Sequence, residues 1–310
     1  MDPALFDKQL LYVTGKGGVG KTTVAAALGV AAAARGRRTL ICEVSEQQRL
    51  ASAFASPPGA DGAAVELSDH LSAVSIDPGE ALEDWLSRQL GSPALVRTLS
   101  RSQVFQYFVA AAPGVRELIT IGKIWDLSQG AGDGGAPYDL VIVDAPASGH
   151  GIAMLETPRT FGEIARVGTV RRQAEKIRSL LTDSERCGYI AVTLAEETPV
   201  NETIELEAAV KRAVGARLGA VIVNRVRPDS FADHDAAAIR AALDAVGPGL
   251  ERAALASALR DVERARAQWA QLKRLETGTR APVTELPFLD EVTGTDAYRR
   301  LGAALSRATD

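Results

Sequence analysis

Two rhythms of apolar and polar positions alternate along the chain. Short, nearly continuous apolar runs recur at LLYVT (Leu10–Thr14), TLICEV (Thr39–Val44), SAVSI (Ser72–Ile76), YDLVIVD (Tyr138–Asp144), YIAVTLA (Tyr189–Ala195), LGAVIVN (Leu218–Asn224) and PVTELPF (Pro282–Phe288). Runs such as LVIV and AVIV suit strands of a sheet buried on both faces. Helix-like segments lie between them, beginning with the alanine-rich Lys21–Arg35 and its stop at Gly36–Arg38. Strand–helix alternation of this kind predicts an α/β fold, with a mostly parallel central sheet flanked by helices.

The alternation is interrupted once. From Asp77 to Gln129 the pattern is mostly helical and carries Trp85, Phe105, Tyr107, Phe108 and Trp125. We read residues 77–129 as a helical subdomain inserted into a single α/β domain that spans residues 1–310. Gly- and Pro-containing loops, Ser56–Gly62 and Gly130–Pro137, frame the region. A long helical stretch, Asp235–Leu275, is broken at Gly247–Gly249.

Composition adds mainly exclusions. The chain has 310 residues, 46% apolar and 24% charged, with a net charge of −4. A mildly acidic chain lacks the basic footprint of a general nucleic-acid binder, so no nucleic-acid partner is expected. The start of the chain has no signal-peptide pattern. The longest uncharged apolar run, Val24–Ala34, is 11 residues, against the roughly 20 that a membrane span needs. Cys42 and Cys187 form no cluster, and His70, His150 and His234 share no metal-ligand spacing. The expected compartment is the cytoplasm, with peripheral attachment to a membrane as the alternative.

The chemistry concentrates in GKGGVGKT (Gly15–Thr22), which fits the G-x-x-x-x-G-K-[ST] phosphate loop between a strand and a helix. Its glycines let the backbone wrap a phosphate and turn successive N–H groups inward. The helix behind it adds the positive end of its dipole. Lys21 has the reach for the β- and γ-phosphates, and the Thr22 hydroxyl suits Mg²⁺. YDLVIVD delivers Asp144 to a strand's C-terminal end, where an acid suits Mg²⁺ or its water beside the phosphates. The loop also holds a second cation, Lys16, too early to duplicate the role of Lys21.

GKGGVGKTT, with its early lysine, resembles the deviant phosphate loop of the family containing MinD, ParA, nitrogenase iron protein and the ArsA-type ATPases. DAPASGHGIAMLETP (Asp144–Pro158) resembles the switch II segment of the ArsA and tail-anchored-protein-targeting branch, where an acid is followed by a Gly-His pair and a helix ending in Pro. APGVRELITIGKIWDL (Ala112–Leu127) resembles that branch's helical-subdomain segment, and ELPFLDEVTG (Glu285–Gly294) its late loop over the base. The resemblance implies an ATP-hydrolysing dimeric switch using ATP/ADP and Mg²⁺. Gly15, Lys16, Gly17, Gly18, Val19, Gly20, Lys21, Thr22 and Thr23 would hold the phosphates. Asn224, Pro287 and Phe288 would meet adenine, and Thr22 and Asp144 the metal. Lys16 would reach the partner's nucleotide, and His150 would couple nucleotide state to conformation.

The sequence also departs from that family. Its water-orienting Asp falls here on Ser45, in CEVSEQQRLASAF (Cys42–Phe54). A serine is not a useful base at neutral pH, although phosphoryl transfer depends chiefly on positioning. Glu43 and Glu46 are the candidate substitutes, with Glu43 the one counted among the catalytic residues beside Lys16, Lys21 and Asp144. The zinc-binding CxxC of the eukaryotic targeting ATPases is missing, as are the metalloid-site cysteines of arsenite pumps. Only Met1 and Met154 occur, where a client groove would be methionine-rich. Two readings therefore stand: a hydrolysing homodimeric or heterodimeric switch with a protein or membrane-protein client, and a weakly hydrolysing nucleotide-binding subunit that works with a homologous chain. A ligase or kinase of the dethiobiotin-synthetase type fits the insert and switch II less well. An iron–sulfur reductase fits the isolated cysteines least.

Overall fold

A computed structural model of the chain describes all residues except 45–47, 58, 60–61, 101, 104–113, 131–136, 166, 229–232, 290–293 and 310. Among the described residues, eight strands form one sheet in the order β3-β4-β2-β5-β1-β6-β7-β8. They are β1 (Leu10–Thr14), β2 (Thr39–Glu43), β3 (Val65–Ser68), β4 (Leu71–Ser75), β5 (Leu140–Asp144), β6 (Cys187–Leu194), β7 (Ala220–Val226) and β8 (Val283–Pro287). Every pairing is parallel except β3 with β4. β3 was not expected from the sequence. It is a four-residue edge strand whose burial alternates between half-buried and exposed, so it carries little of the apolar signal that marks the central strands.

Residues of each central strand alternate between two apolar layers. Leu10, Tyr12, Val141, Val143, Tyr189, Val221 and Val223 face one layer. Leu11, Val13, Leu140, Ile142, Ile190, Val192 and Ile222 face the other. The second layer is closed by α1 (Lys21–Ala33), the short α2 (Arg49–Ala53) and, packed against α1, the C-terminal helix Thr295–Arg307. Gly302 permits that last contact, since a Cβ there would lie 3.0 Å from the Ala27 carbonyl oxygen.

Among the described residues, three helices connect β4 to β5: α3 (Pro78–Leu90), α4 (Pro93–Ser100) and α5 (Val115–Ser128). α3 begins where the sequence calls for it. Asp77 accepts from the Glu80 N–H at 2.9 Å, Pro78 opens the first turn, and Gly91 at φ 63° closes the helix. Phe105, Tyr107 and Phe108 lie outside the described residues. After β5 come α6 (Ser148–Ile164), α7 (Thr169–Thr182), α8 (Glu197–Val214), α9 (Asp233–Ala245), α10 (Leu250–Gly278) and the C-terminal helix, α11. The gap between α9 and α10 coincides with Gly247–Gly249, as expected.

One expectation needs correction. The switch II helix does not end at Pro158: α6 runs through it to Ile164. An interior proline costs about 3 kcal/mol. Here Met154, Leu155, Thr157 and Pro158 are all buried, and the Thr157 hydroxyl donates to the Ala153 carbonyl at 2.6 Å. Tertiary burial outweighs the lost backbone bond.

Candidate functional site

β1 lies mid-sheet with β5 on one side and β6 on the other. Loops at the C-terminal ends of such strands open onto the crevice where α/β folds hold ligands. Residues 15–20 form that loop, and α1 begins at Lys21. Gly20 is left-handed at φ 93°, and a Cβ on it would strike the Asn224 amide nitrogen. Gly15, at φ 150°, lies against the Val192 carbonyl oxygen with no room for a side chain. Both positions therefore require glycine for backbone shape and for space.

Lys21 folds back over the loop and donates to the Lys16 carbonyl oxygen at 2.9 Å. Burial lowers its pKa, and the negative charge of Asp144 opposes that. Thr22 donates from Oγ1 to Asp144 Oδ2 at 2.6 Å. The other carboxylate oxygen of Asp144, Oδ1, is buried without a hydrogen-bond partner. Burial raises the Asp144 pKa, against the Thr22 hydroxyl and the charges of Lys21 and Arg49.

Glu43 pairs in register with Asp144 across β2 and β5, so two acids end adjacent strands. Glu43 is buried, and its Oε2 accepts from the Leu50 N–H at 3.3 Å. Its pKa rises from 4.5 to about 7, first through burial and then through the charge of Asp144. A single cavity joins Lys21, Thr22, Glu43, Arg49 and Asp144 with Gly18 and Gly20 of the loop. Ser45 and Glu46, the other candidates of that segment, lie outside the described residues.

Lys16 points elsewhere: its ammonium pairs with Glu202 on α8 at 3.1 Å. Asn224 sits at an irregularity in β7, where the register with β8 shifts between Val223 and Val226. Arg225 there adopts φ 58°. This kink turns Asn224 towards the loop, where Nδ2 donates to the Val19 carbonyl at 3.0 Å and Oδ1 accepts from the Arg225 N–H at 2.9 Å. Thr23, Asn224 and Pro287 line one small cavity with Arg225, Ala297 and Leu301. Phe288 does not line it; its ring lies under the Arg227 guanidinium at 4.3 Å.

Several contacts tie the start of α6 to its surroundings, among them the Ser148 N–H, which donates to the Gly15 carbonyl at 3.1 Å. Tyr12 donates to the Gly151 carbonyl at 2.8 Å. His150 Nδ1 lies 3.7 Å from Glu117 on α5. Sequence pattern singles out neither Tyr12 nor Glu202 nor Arg49. Each is a common residue type, and its place at the site follows from strand register and helix packing.

The profile of the anion-transporting ATPase family matches residues 8–169. ATPase BagA of Mycobacterium tuberculosis is 33% identical over 236 residues, which cover 74% of this chain and 68% of that protein. The chain belongs to the anion-transporting ATPase family. ATPase GET3 of Lachancea thermotolerans, 26% identical over 262 residues, covers 73% of both chains. ATPase GET3 of Kluyveromyces lactis matches at 26% over 264 residues, again 73% of each. The stretch matched by the anion-transporting ATPase profile contains the loop, Glu43, Arg49, Asp144 and α3–α5, whereas Asn224, Pro287 and Phe288 lie beyond it. The fold is that of a P-loop NTPase. Among the described residues no helix is long and apolar enough to cross a membrane.

The donor set also fits the cation that such a site would use. Thr22 Oγ1 and the unpartnered Asp144 Oδ1 offer hard oxygens beside the loop, which suits Mg²⁺ shared with phosphate and water.

Proposed function

We propose that the protein is a Mg²⁺-dependent, ATP-hydrolysing switch that works as a pair of P-loop chains. The observation that carries this reading is the Thr22–Asp144 contact beside the loop, with Asp144 Oδ1 buried and unpartnered. The loop N–H groups and Lys21 hold the phosphates. Thr22 and Asp144 would hold Mg²⁺, which would supply positive charge to the transferred phosphoryl group. Asn224 meets adenine while bracing the loop through Val19, and Pro287 borders the base. Glu43, raised to about 7, lies where it can accept a hydrogen bond from water or donate one.

Lys16 belongs to the partner's site in this reading. Its pairing with Glu202 supports a resting state in which the lysine is held within its own chain. The helices between β4 and β5 form the client-facing part. An apolar groove there is lined by Trp85, Leu86, Leu118, Ile119, Phe161 and Ile177, chemistry that suits an apolar peptide segment. Tyr12 and the His150–Glu117 pair link α6 to the loop strand and to α5, and so link nucleotide state to that groove.

Phosphate release from Mg·ATP tests the reading. Lys21→Ala is expected to abolish it. Lys16→Ala is expected to keep nucleotide binding and lose both turnover and ATP-dependent association. Turnover and association both unchanged in Lys16→Ala sinks the paired mechanism. The second reading, a subunit that waits for a homologous partner, rests on Ser45, which stands where the family has its water-orienting Asp. It predicts ATP binding by the pure protein, with turnover only after a second P-loop chain is added.

A further inference from the structure

The cavity beside the loop has a wall that the proposed mechanism does not use. Its cation is Arg49, the first residue of α2. Leu50, the next residue, donates its N–H to Glu43 Oε2 at 3.3 Å. That bond pins the start of α2 to the end of β2. Arg49 is exposed to solvent and lines the same cavity as Lys21, Thr22, Glu43 and Asp144. It also lines the neighbouring hollow with Thr22, Ser52 and Tyr298. Its charge acts on both buried acids, opposing the effect of burial on each.

Strand order decides which phosphate Arg49 can serve. The loop follows β1, Asp144 ends β5 beside it, and Glu43 ends β2 one strand further out. Thr22 and Asp144 would hold the cation, which would neutralise the phosphates there. A γ-phosphoryl group served by that cation would lie on the β5–β2 side of the loop, where Arg49 lines the cavity. A planar guanidinium there can hold two phosphate oxygens at once, which a lysine cannot.

Resting on the ATP-site reading above, we propose that Arg49 is a catalytic residue supplied in cis that binds the γ-phosphate of ATP. In the reaction a water oxygen bonds to the γ-phosphorus and the bond to the bridging oxygen breaks. The electron pair of that bond stays on the β-phosphate of ADP, and the water's proton leaves with inorganic phosphate. Arg49 transfers no proton; it stabilises the negative charge spread over the γ-oxygens.

A role confined to neutralising Glu43 and Asp144 makes a different prediction, because it would affect ATP and ADP alike. The test is equilibrium binding of Mg²⁺ with a non-hydrolysable ATP analogue, or with ADP, to the 310-residue chain, alongside single-turnover hydrolysis. Arg49→Ala is expected to weaken the analogue about tenfold or more and ADP by under about threefold. Turnover is expected to fall further than binding, and Arg49→Lys to recover part of the loss. Equal losses for analogue and ADP, or no loss, overturn the assignment. Lys21→Ala serves as the control. If Lys21→Ala abolishes binding and Arg49→Ala changes nothing, Arg49 alone is refuted. If the parent protein binds no Mg·ATP, the ATP-site reading fails and takes this assignment with it.

Discussion

Glu43 makes a sharp test because its burial works against its charge. It is 3% exposed and its carboxyl titrates at about 7 instead of 4.5. The folded chain therefore holds this proton more tightly than the unfolded chain does. Stability linked to it is fully present below pH 4.5 and falls as pH rises through about 7, above which the loss is constant. At about 1.4 kcal/mol per tenfold change in proton affinity, the loss reaches at most about 3 kcal/mol. Glu43→Gln keeps an acceptor for the Leu50 N–H and removes the charge. The variant should match the parent near pH 4.5 and exceed it by up to about 3 kcal/mol at pH 8. In melting temperature that is roughly 2 °C for each kcal/mol in a chain of this size. The assay is thermal or urea unfolding across this range, without nucleotide and with EDTA. Asp144, Arg49 and Tyr298 surround Glu43 electrically, so the comparison should be repeated in Arg49→Gln. That background should widen the difference by removing a compensating cation. A difference between Glu43→Gln and parent that does not vary with pH refutes the reasoning.

Other substitutions probe separate links. Glu202→Gln removes an ion pair with an exposed lysine, so stability should stay within about 0.5 kcal/mol of the parent; ATP-dependent association should nonetheless strengthen in light scattering, because Lys16 is released. Gly20→Ala places a Cβ at left-handed φ and against Asn224; it should cost at least about 1–2 kcal/mol in unfolding experiments and abolish nucleotide binding in fluorescence titrations. Tyr12→Phe removes a buried hydroxyl bond to Gly151, for about 1 kcal/mol of stability, and should raise hydrogen exchange at the start of α6 more than elsewhere.

Most of the sheet was readable because its central strands are buried on both faces and so appear as unbroken apolar runs. Thr39–Glu43, Leu140–Asp144 and Ala220–Val226 are examples. β3 escaped because a short, half-exposed edge strand carries almost no such signal. The helix ending at Pro158 was an expectation carried by the resemblance to switch II, whereas the burial that lets α6 run on through the proline comes from distant parts of the chain. At the site, the loop and Asp144 were legible as contiguous motifs with a physical rationale. The contact of Lys16 with Glu202, the bracing of the loop by Asn224 and the position of Arg49 were not. They join residues far apart in sequence, through a strand irregularity and the docking of α8 and α2.

If Thr22 and Asp144 hold the cation of a Mg·ATP site, they make ATP binding depend on magnesium. Calorimetric titration of ATP into the protein, with Mg²⁺ and then with EDTA, addresses this directly in the parent and in Asp144→Asn. The predicted result is one ATP bound per chain in the parent, with affinity that falls when Mg²⁺ is chelated, and an affinity in Asp144→Asn that is indifferent to Mg²⁺. Magnesium-independent binding in the parent, or full magnesium dependence retained in Asp144→Asn, would contradict it.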